Sequence, residues 1–365
     1  LSTPVSMVFP GQASPGAIEI APPSQAGLLA LEALPGGTVS YSFTVSEAGT
    51  YYYQSGTDMD KQIQMGLFGA IVVRPTGFNP LNPRAYGHAD SAYDREELFL
   101  ISEMDAAAHE MVEFGAPIDT TSFYPVYWFF NGRNAPDTMA PAGVPWLPAQ
   151  PYNCMPMILP GEKLLMRVIG IGRDLHPFHH HGNHARIIGE DGRLLESTPG
   201  SGPDLSYEVF TIQSAPGKTY DALFTWTGEG LNWDIYGPID DVCVDADNDG
   251  YDDDSGEFCH DSECTDGNAD DFDDATHEYC PDHGKPFPLQ LPSALELTFG
   301  GFWSGSPFMG DVEPLPPGEG GLNPMGGFTY MWHSHTEKEM VNNDIFPGGM
   351  MTMLIVMPPW ADIVD

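Results

Sequence analysis

Basic residues are scarce: 13 Lys and Arg stand against 52 Asp and Glu in 365 residues, a formal charge of −39 at neutral pH. Nucleic-acid recognition needs clustered cations to neutralise phosphates, so that class of partner is excluded. Attraction to an anionic membrane surface goes with it. No apolar run approaches the ~20 residues that span a bilayer, so membrane insertion is not expected. Cysteine is sparse, five in all, too few to staple the whole chain. Helix-period apolar patterning of any length is missing as well. The abundant residues are turn formers, 41 Gly and 35 Pro between short apolar runs. That composition belongs to an all-β chain with many turns.

The organisation reads as two unequal blocks. Residues 1–75 carry an alternating strand at 38–45 and a buried one at 66–73. So few strands make a partial domain, because an independent sandwich needs about seven. Strands from upstream sequence, a second copy or a partner chain are expected to complete it. Residues 76–94 are a Pro/Gly/Asn-rich linker. From 95 to 365, strands are expected at 97–102, 126–130, 163–170, 185–189, 207–212, 220–226, 294–299, 328–332 and 350–357. Short strands at this spacing, with Pro-Gly turns at 160, 216 and 347, argue for a β-sandwich. Its one large insertion, 240–283, holds 18 acids and no Lys or Arg.

Four of the five cysteines, Cys243, Cys259, Cys264 and Cys280, lie in or at the end of that insertion. An even local set suggests two disulfides and an oxidising, extracellular or periplasmic location, with the pairing left open. Cys154 reads as a buried small hydrophobe. The chain starts with Leu and shows no signal peptide, so a processed or incomplete chain is expected. Within the insertion, Asp245, Asp247 and Asp249 followed by Gly250 and the carbonyl of Tyr251 have the spacing of a calcium loop. Gly256 stands where a helix-loop-helix hand needs Glu, so a short loop closed by Asp253 or Asp254 is expected instead. Asp266, Asn268, Asp270 and the carbonyl of Phe272 form a weaker second loop. The bland alternative for this segment is a disordered acidic tract.

Histidine is concentrated in two places. One reads His176-Pro177-Phe178-His179-His180-His181-Gly182-Asn183-His184, the other Trp332-His333-Ser334-His335. Residues two apart on a strand share a face, so His179 and His181 form one pair and His333 and His335 another. Imidazoles converging from two strands suit copper, zinc or nickel, with copper favoured by affinity.

These segments resemble the multicopper oxidases, whose last cupredoxin domain carries His-Pro-x-His-Leu-His-Gly-His and, near its end, His-Cys-His-x-x-x-His. Phe129-Phe130-Asn131-Gly132, Pro160-Gly161-Glu162 and the stretches 48–56 and 66–73 are similar to other parts of the family. The resemblance implies cupredoxin-like Greek-key sandwiches, the first of them incomplete. It also implies copper as cofactor, with His179, His181, His333 and His335 as half of a trinuclear site and His176 as a blue-copper ligand. Several positions depart from the pattern. Ser334 replaces the blue-copper cysteine, Glu339 the distal histidine, and Gln54-Ser55-Gly56 the first-domain His-Ser-His. A hydroxyl cannot act as the soft thiolate donor of a blue site.

The expected function is therefore an extracellular, copper-binding protein of multicopper-oxidase type, with laccase-type turnover disfavoured. A non-catalytic, calcium-stabilised structural subunit of an extracellular assembly is the alternative. Either way a homo-oligomer or a partner chain is expected to complete the first domain.

Overall fold

Two sheets face each other across an aromatic core. The computed structural model describes the chain except residues 1, 14, 232, 237–238, 240–242, 247–251, 256–258, 261–263, 265–266, 268–269, 275, 287–327, 358–360, 362 and 364–365. The strand expected at 294–299 lies outside the described residues.

The larger sheet runs in the order Arg193–Leu194, Ala185–Glu190, Thr219–Thr225, Lys163–Gly170, Arg95–Met104, Tyr127–Phe130, with Tyr207–Val209 also on Ala185–Glu190. The smaller runs Met157–Ile158, Met351–Val356, Phe328–Ser334, His176–His180, Thr211–Ser214. Most pairings are antiparallel, but Lys163–Gly170 lies parallel to Arg95–Met104 and Met157–Ile158 parallel to Met351–Val356. The described residues form an all-β chain, as the composition implies.

Alternation explains how the sheets meet. In Phe328–Ser334, Phe328, Tyr330 and Trp332 are buried while Thr329 and Met331 are only partly so. Opposite them lie Phe99, Phe130, Phe224 and Trp226. Phe178 bridges the layers, its ring 4.8 Å from Phe99 and 5.0 Å from Phe130. The polar tips of the two deepest indoles are satisfied: Trp226 Nε1 donates to Tyr330 OH at 2.8 Å and Trp332 Nε1 to the His181 carbonyl at 2.9 Å. Buried indole N–H groups need such partners.

Lys163–Gly170 does not alternate; after Lys163 every residue is buried. Its second face is covered by the first block, whose Gly49–Ser55 strand packs on Lys163–Gly170 and Thr219–Thr225. Arg167 crosses this boundary with its guanidinium bonded to Asp221 at 2.9 Å, Thr50 Oγ1 at 2.8 Å and Glu96. Tyr86 OH donates to the other Asp221 oxygen at 2.6 Å. Tyr86, Ala85 and Tyr93, all between 76 and 94, are buried with Leu165, Ile188 and Leu223.

The first block holds a three-stranded sheet of Met7–Val8, Gly49–Ser55 and Phe68–Val73. Two ribbons accompany it, Gly16–Ala21 with Thr38–Ser42 and Ser24–Ala26 with Leu31–Ala33. Some elements run against the sequence expectation: the strand expected at 207–212 is split into Tyr207–Val209 and Thr211–Ser214 on different sheets, Met59–Gln62 is a short helix, and Ala106–Glu113 is an α-helix. Asp105 caps it, its carboxylate accepting from the amides of Ala107 at 2.9 Å and Ala108 at 3.2 Å. None of its residues is fully buried, so no apolar stripe marks it in the sequence.

Candidate metal centre

The histidines meet because of strand register. His176–His180 pairs antiparallel with Phe328–Ser334, setting His179 opposite His333 and His180 opposite Trp332. Directly opposed residues share a face, and the His179 and His333 ring centres are 5.5 Å apart. His181, one residue past the strand, brings its ring to 4.7 Å from His179 and 5.1 Å from His333. His335 closes on the same side, 4.8 Å from His179, and is exposed. Ring nitrogens of His179, His181 and His333, all three buried, lie within 4.8 Å of one another. The Nε2 atoms of His181 and His333 are 3.2 Å apart.

Second contacts orient these rings. His333 Nδ1 sits 2.8 Å from the Ser334 carbonyl. A carbonyl only accepts, so Nδ1 carries the proton and the Nε2 lone pair faces the cluster. Burial holds the His333 pKa below the ordinary histidine value, which favours the neutral, ligating form. His179 Nδ1 lies 2.9 Å from Thr211 Oγ1 on the neighbouring strand.

His180 points the other way. Its ring sits 5.8 Å from Trp332 and 5.9 Å from Phe224 in the core, and burial lowers its pKa to about 3. His184 stacks on Phe210 at 5.2 Å.

His176 is placed apart from the imidazole face and is gripped by carboxylates. Its Nδ1 is 3.0 Å from Glu339 Oε2 and its Nε2 3.0 Å from Glu103 Oε2. Both nitrogens donate, so the ring is a buried imidazolium. Burial opposes that charge, but the two carboxylates outweigh it and raise the pKa to about 9. Ser334 Oγ donates to the same Glu339 oxygen at 2.5 Å. A cation already stands where the resemblance places blue copper, and no sulfur is among these donors. The residues present do not fit that centre. They do fit one ion held by three imidazoles, a donor set suited to copper.

The first-block stretch Gln54-Ser55-Gly56 makes structural bonds. Gln54 is registered between Val8 and Phe68, Ser55 Oγ donates to Gln62 Oε1 at 2.7 Å, and the Gly56 amide donates to the Ser6 carbonyl at 3.1 Å. Glu103 was not legible as a site residue. It lies 73 positions from His176 and carries no local motif.

In the insertion, Cys243 pairs with Cys259 and Cys264 with Cys280, settling the open connectivity. Cys154 is free and buried. Asp245, Asp254, Asp270 and Phe272 are described, whereas Asp247, Asp249, Tyr251, Asp266 and Asn268 lie outside the described residues. Asp252 accepts from the amides of Val244, Asp254 and Ser255, which hold its pKa down to about 2. Asp270 accepts from the Phe272 amide at 3.2 Å.

Comparison with known proteins adds a second line. The family described as multicopper oxidase matches residues 26–77. The resemblance read from the histidine motifs thus has an independent counterpart in the first block. Among solved structures, the chain is similar to a blue copper oxidase from Nitrosomonas europaea, with 15% identity and a TM-score of 0.49 over 97% of this chain and 70% of that one. It is similar to a multicopper oxidase designated mgLAC, with 14% identity and a TM-score of 0.49 over 100% and 73%. A copper nitrite reductase from Nitrosomonas europaea is 17% identical with a TM-score of 0.40, over 62% and 66%. The curated proteins contain no matching sequence. No helix among the described residues is long and apolar enough to cross a membrane.

Proposed function

We propose that this chain is an exported copper-binding protein of multicopper-oxidase ancestry that holds copper on its imidazole face without a blue-copper centre. The supporting observation is the pairing of His179 with His333, which gathers three buried ring nitrogens within 4.8 Å. His179, His181 and His333 would hold the ion, and the exposed His335 stands at the open edge where a second copy or another chain could add donors. Bound copper supplies one-electron exchange between its cuprous and cupric states. The residues of this chain supply orientation, through Thr211 and the Ser334 carbonyl, and a neutral imidazole at His333.

The thiolate that would pass electrons to this face in the resembling family is replaced by Ser334, and the space beside it is filled by His176 between Glu103 and Glu339. Four-electron reduction of dioxygen on this chain alone is therefore not part of the proposal. The same ion-pair knot favours a second reading, a non-catalytic subunit of an extracellular assembly stiffened by calcium in 240–283. Copper analysis after reconstitution separates the two. About one copper per chain, lost in His179→Ala/His333→Ala, supports the first reading; no retained copper leaves the second. Calcium-dependent protease resistance of 240–283 tests the calcium loops, and cleavage unaffected by chelation would count against them.

A further inference from the structure

A second cluster of metal-type donors lies away from the imidazole face. Asp234, His260, Glu278 and His283 each place one donor atom within 4.8 Å of all the others. His260 Nε2 is 3.1 Å from Glu278 Oε2 and 3.4 Å from Asp234 Oδ2. His283 Nδ1 is 2.8 Å from Glu278 Oε1 and 3.9 Å from Asp234 Oδ2. Zinc bonds of ~2.0–2.1 Å in a tetrahedron put donors ~3.3 Å apart, the middle of this range. The side chains of Asp234, His260 and Glu278 are 3%, 6% and 5% exposed and that of His283 13%, so the donors converge largely inside the protein rather than on an acidic surface.

We propose that these four residues form a structural zinc site that locks the acidic insertion to the sandwich. The charge count supports a divalent ion. Two buried carboxylates need positive charge close by, from the imidazoles or from a bound ion. The single Lys or Arg between 234 and 286 is Lys285, whose amine pairs with Asp282 at 2.7 Å. Two carboxylates, two neutral imidazoles and one divalent ion sum to zero. Imidazole donors also select against calcium, which prefers an all-oxygen shell.

The cluster is held as a site should be. The Asp234 carboxylate accepts from the amides of Gly284 at 2.7 Å and Tyr236 at 2.9 Å, and the Asp234 amide donates to the Lys285 carbonyl at 2.9 Å. Tyr236 OH donates to the Thr276 carbonyl at 2.5 Å, beside Glu278. The two disulfides end next to the donors, Cys259 preceding His260 and Cys280 lying between Glu278 and His283. A loop-rich segment with little core gains order from such clips and from a metal.

The test is zinc binding to the full chain carrying His179→Ala/His333→Ala, which removes the imidazole face. One zinc per chain, bound with sub-micromolar affinity and not displaced by excess calcium, is expected. Adding His260→Gln/His283→Gln should weaken binding by ~100-fold or more, and cobalt in place of zinc should give the strong visible bands of a four-coordinate centre only when both histidines are present. Should the variants misfold, zinc must protect His260 and His283 of the unaltered protein from diethylpyrocarbonate. No zinc uptake, uptake indifferent to His260→Gln/His283→Gln, or modification of both histidines unaffected by zinc would overturn the proposal.

Discussion

His176 shows what two flanking carboxylates do to a histidine. Glu103 and Glu339 hold it as a cation with a pKa raised from 6.5 to about 9. A raised folded pKa adds stability that is complete below the unfolded value near 6.5 and is lost as pH climbs through about 9. The ring is 1% exposed, so on the order of 3 kcal/mol is at stake over that window. Urea midpoints should fall between pH 6.5 and 9 in the unaltered protein and stay flat in His176→Asn. An equal slope in both would contradict the ion-pair assignment. His180 acts in the opposite sense. Its pKa of about 3 removes stability as pH falls below about 6.5, so stability should peak near that value. At this scale the histidines were legible because their spacing is local. Their carboxylate partners were not, because Glu103 belongs to a strand of the other sheet.

Register governs the elements. The strands at 163–170 and 328–332 could be read from burial patterns, and the structure places strands at both, extending the latter to Ser334. The sequence could not show that His179 would lie opposite His333, because pairing between distant strands leaves no local signature. The same blindness hid the Ala106–Glu113 helix, which rests on its cap more than on an apolar face. Replacing Asp105 by Ala removes two amide partners and also the bond from the Tyr124 amide at 2.9 Å. A loss of ~1–2 kcal/mol is expected from calorimetric unfolding, with the helical circular dichroism signal reduced. Tyr330→Phe strands the Trp226 indole N–H in the core and should cost ~1–3 kcal/mol, measured the same way.

For the whole molecule, the boundary between the two blocks is buried and charged. Arg167 and Asp221 are each 1% exposed, and Thr50 and Tyr86 complete the group around them. Arg167→Met leaves Asp221 buried without its cation and should cost ~3–5 kcal/mol in denaturant unfolding. An unchanged midpoint would mean that the blocks are held by apolar contacts alone. Block boundaries were read from Pro and Gly content, which marks turns but not what the turns pack against. Thus 76–94 reads as a linker in sequence while supplying Ala85, Tyr86 and Tyr93 to a buried cluster. The insertion was conspicuous for its acids and cysteines, yet its two-histidine, two-carboxylate cluster is drawn from positions 49 residues apart.

The imidazole face is tested most directly by electron paramagnetic resonance of copper added to the full chain carrying His260→Gln/His283→Gln. One non-blue cupric centre per chain with nitrogen hyperfine structure, abolished by His179→Ala/His333→Ala, is expected. A blue thiolate-type centre, or a copper signal that survives loss of those two histidines, would contradict that expectation.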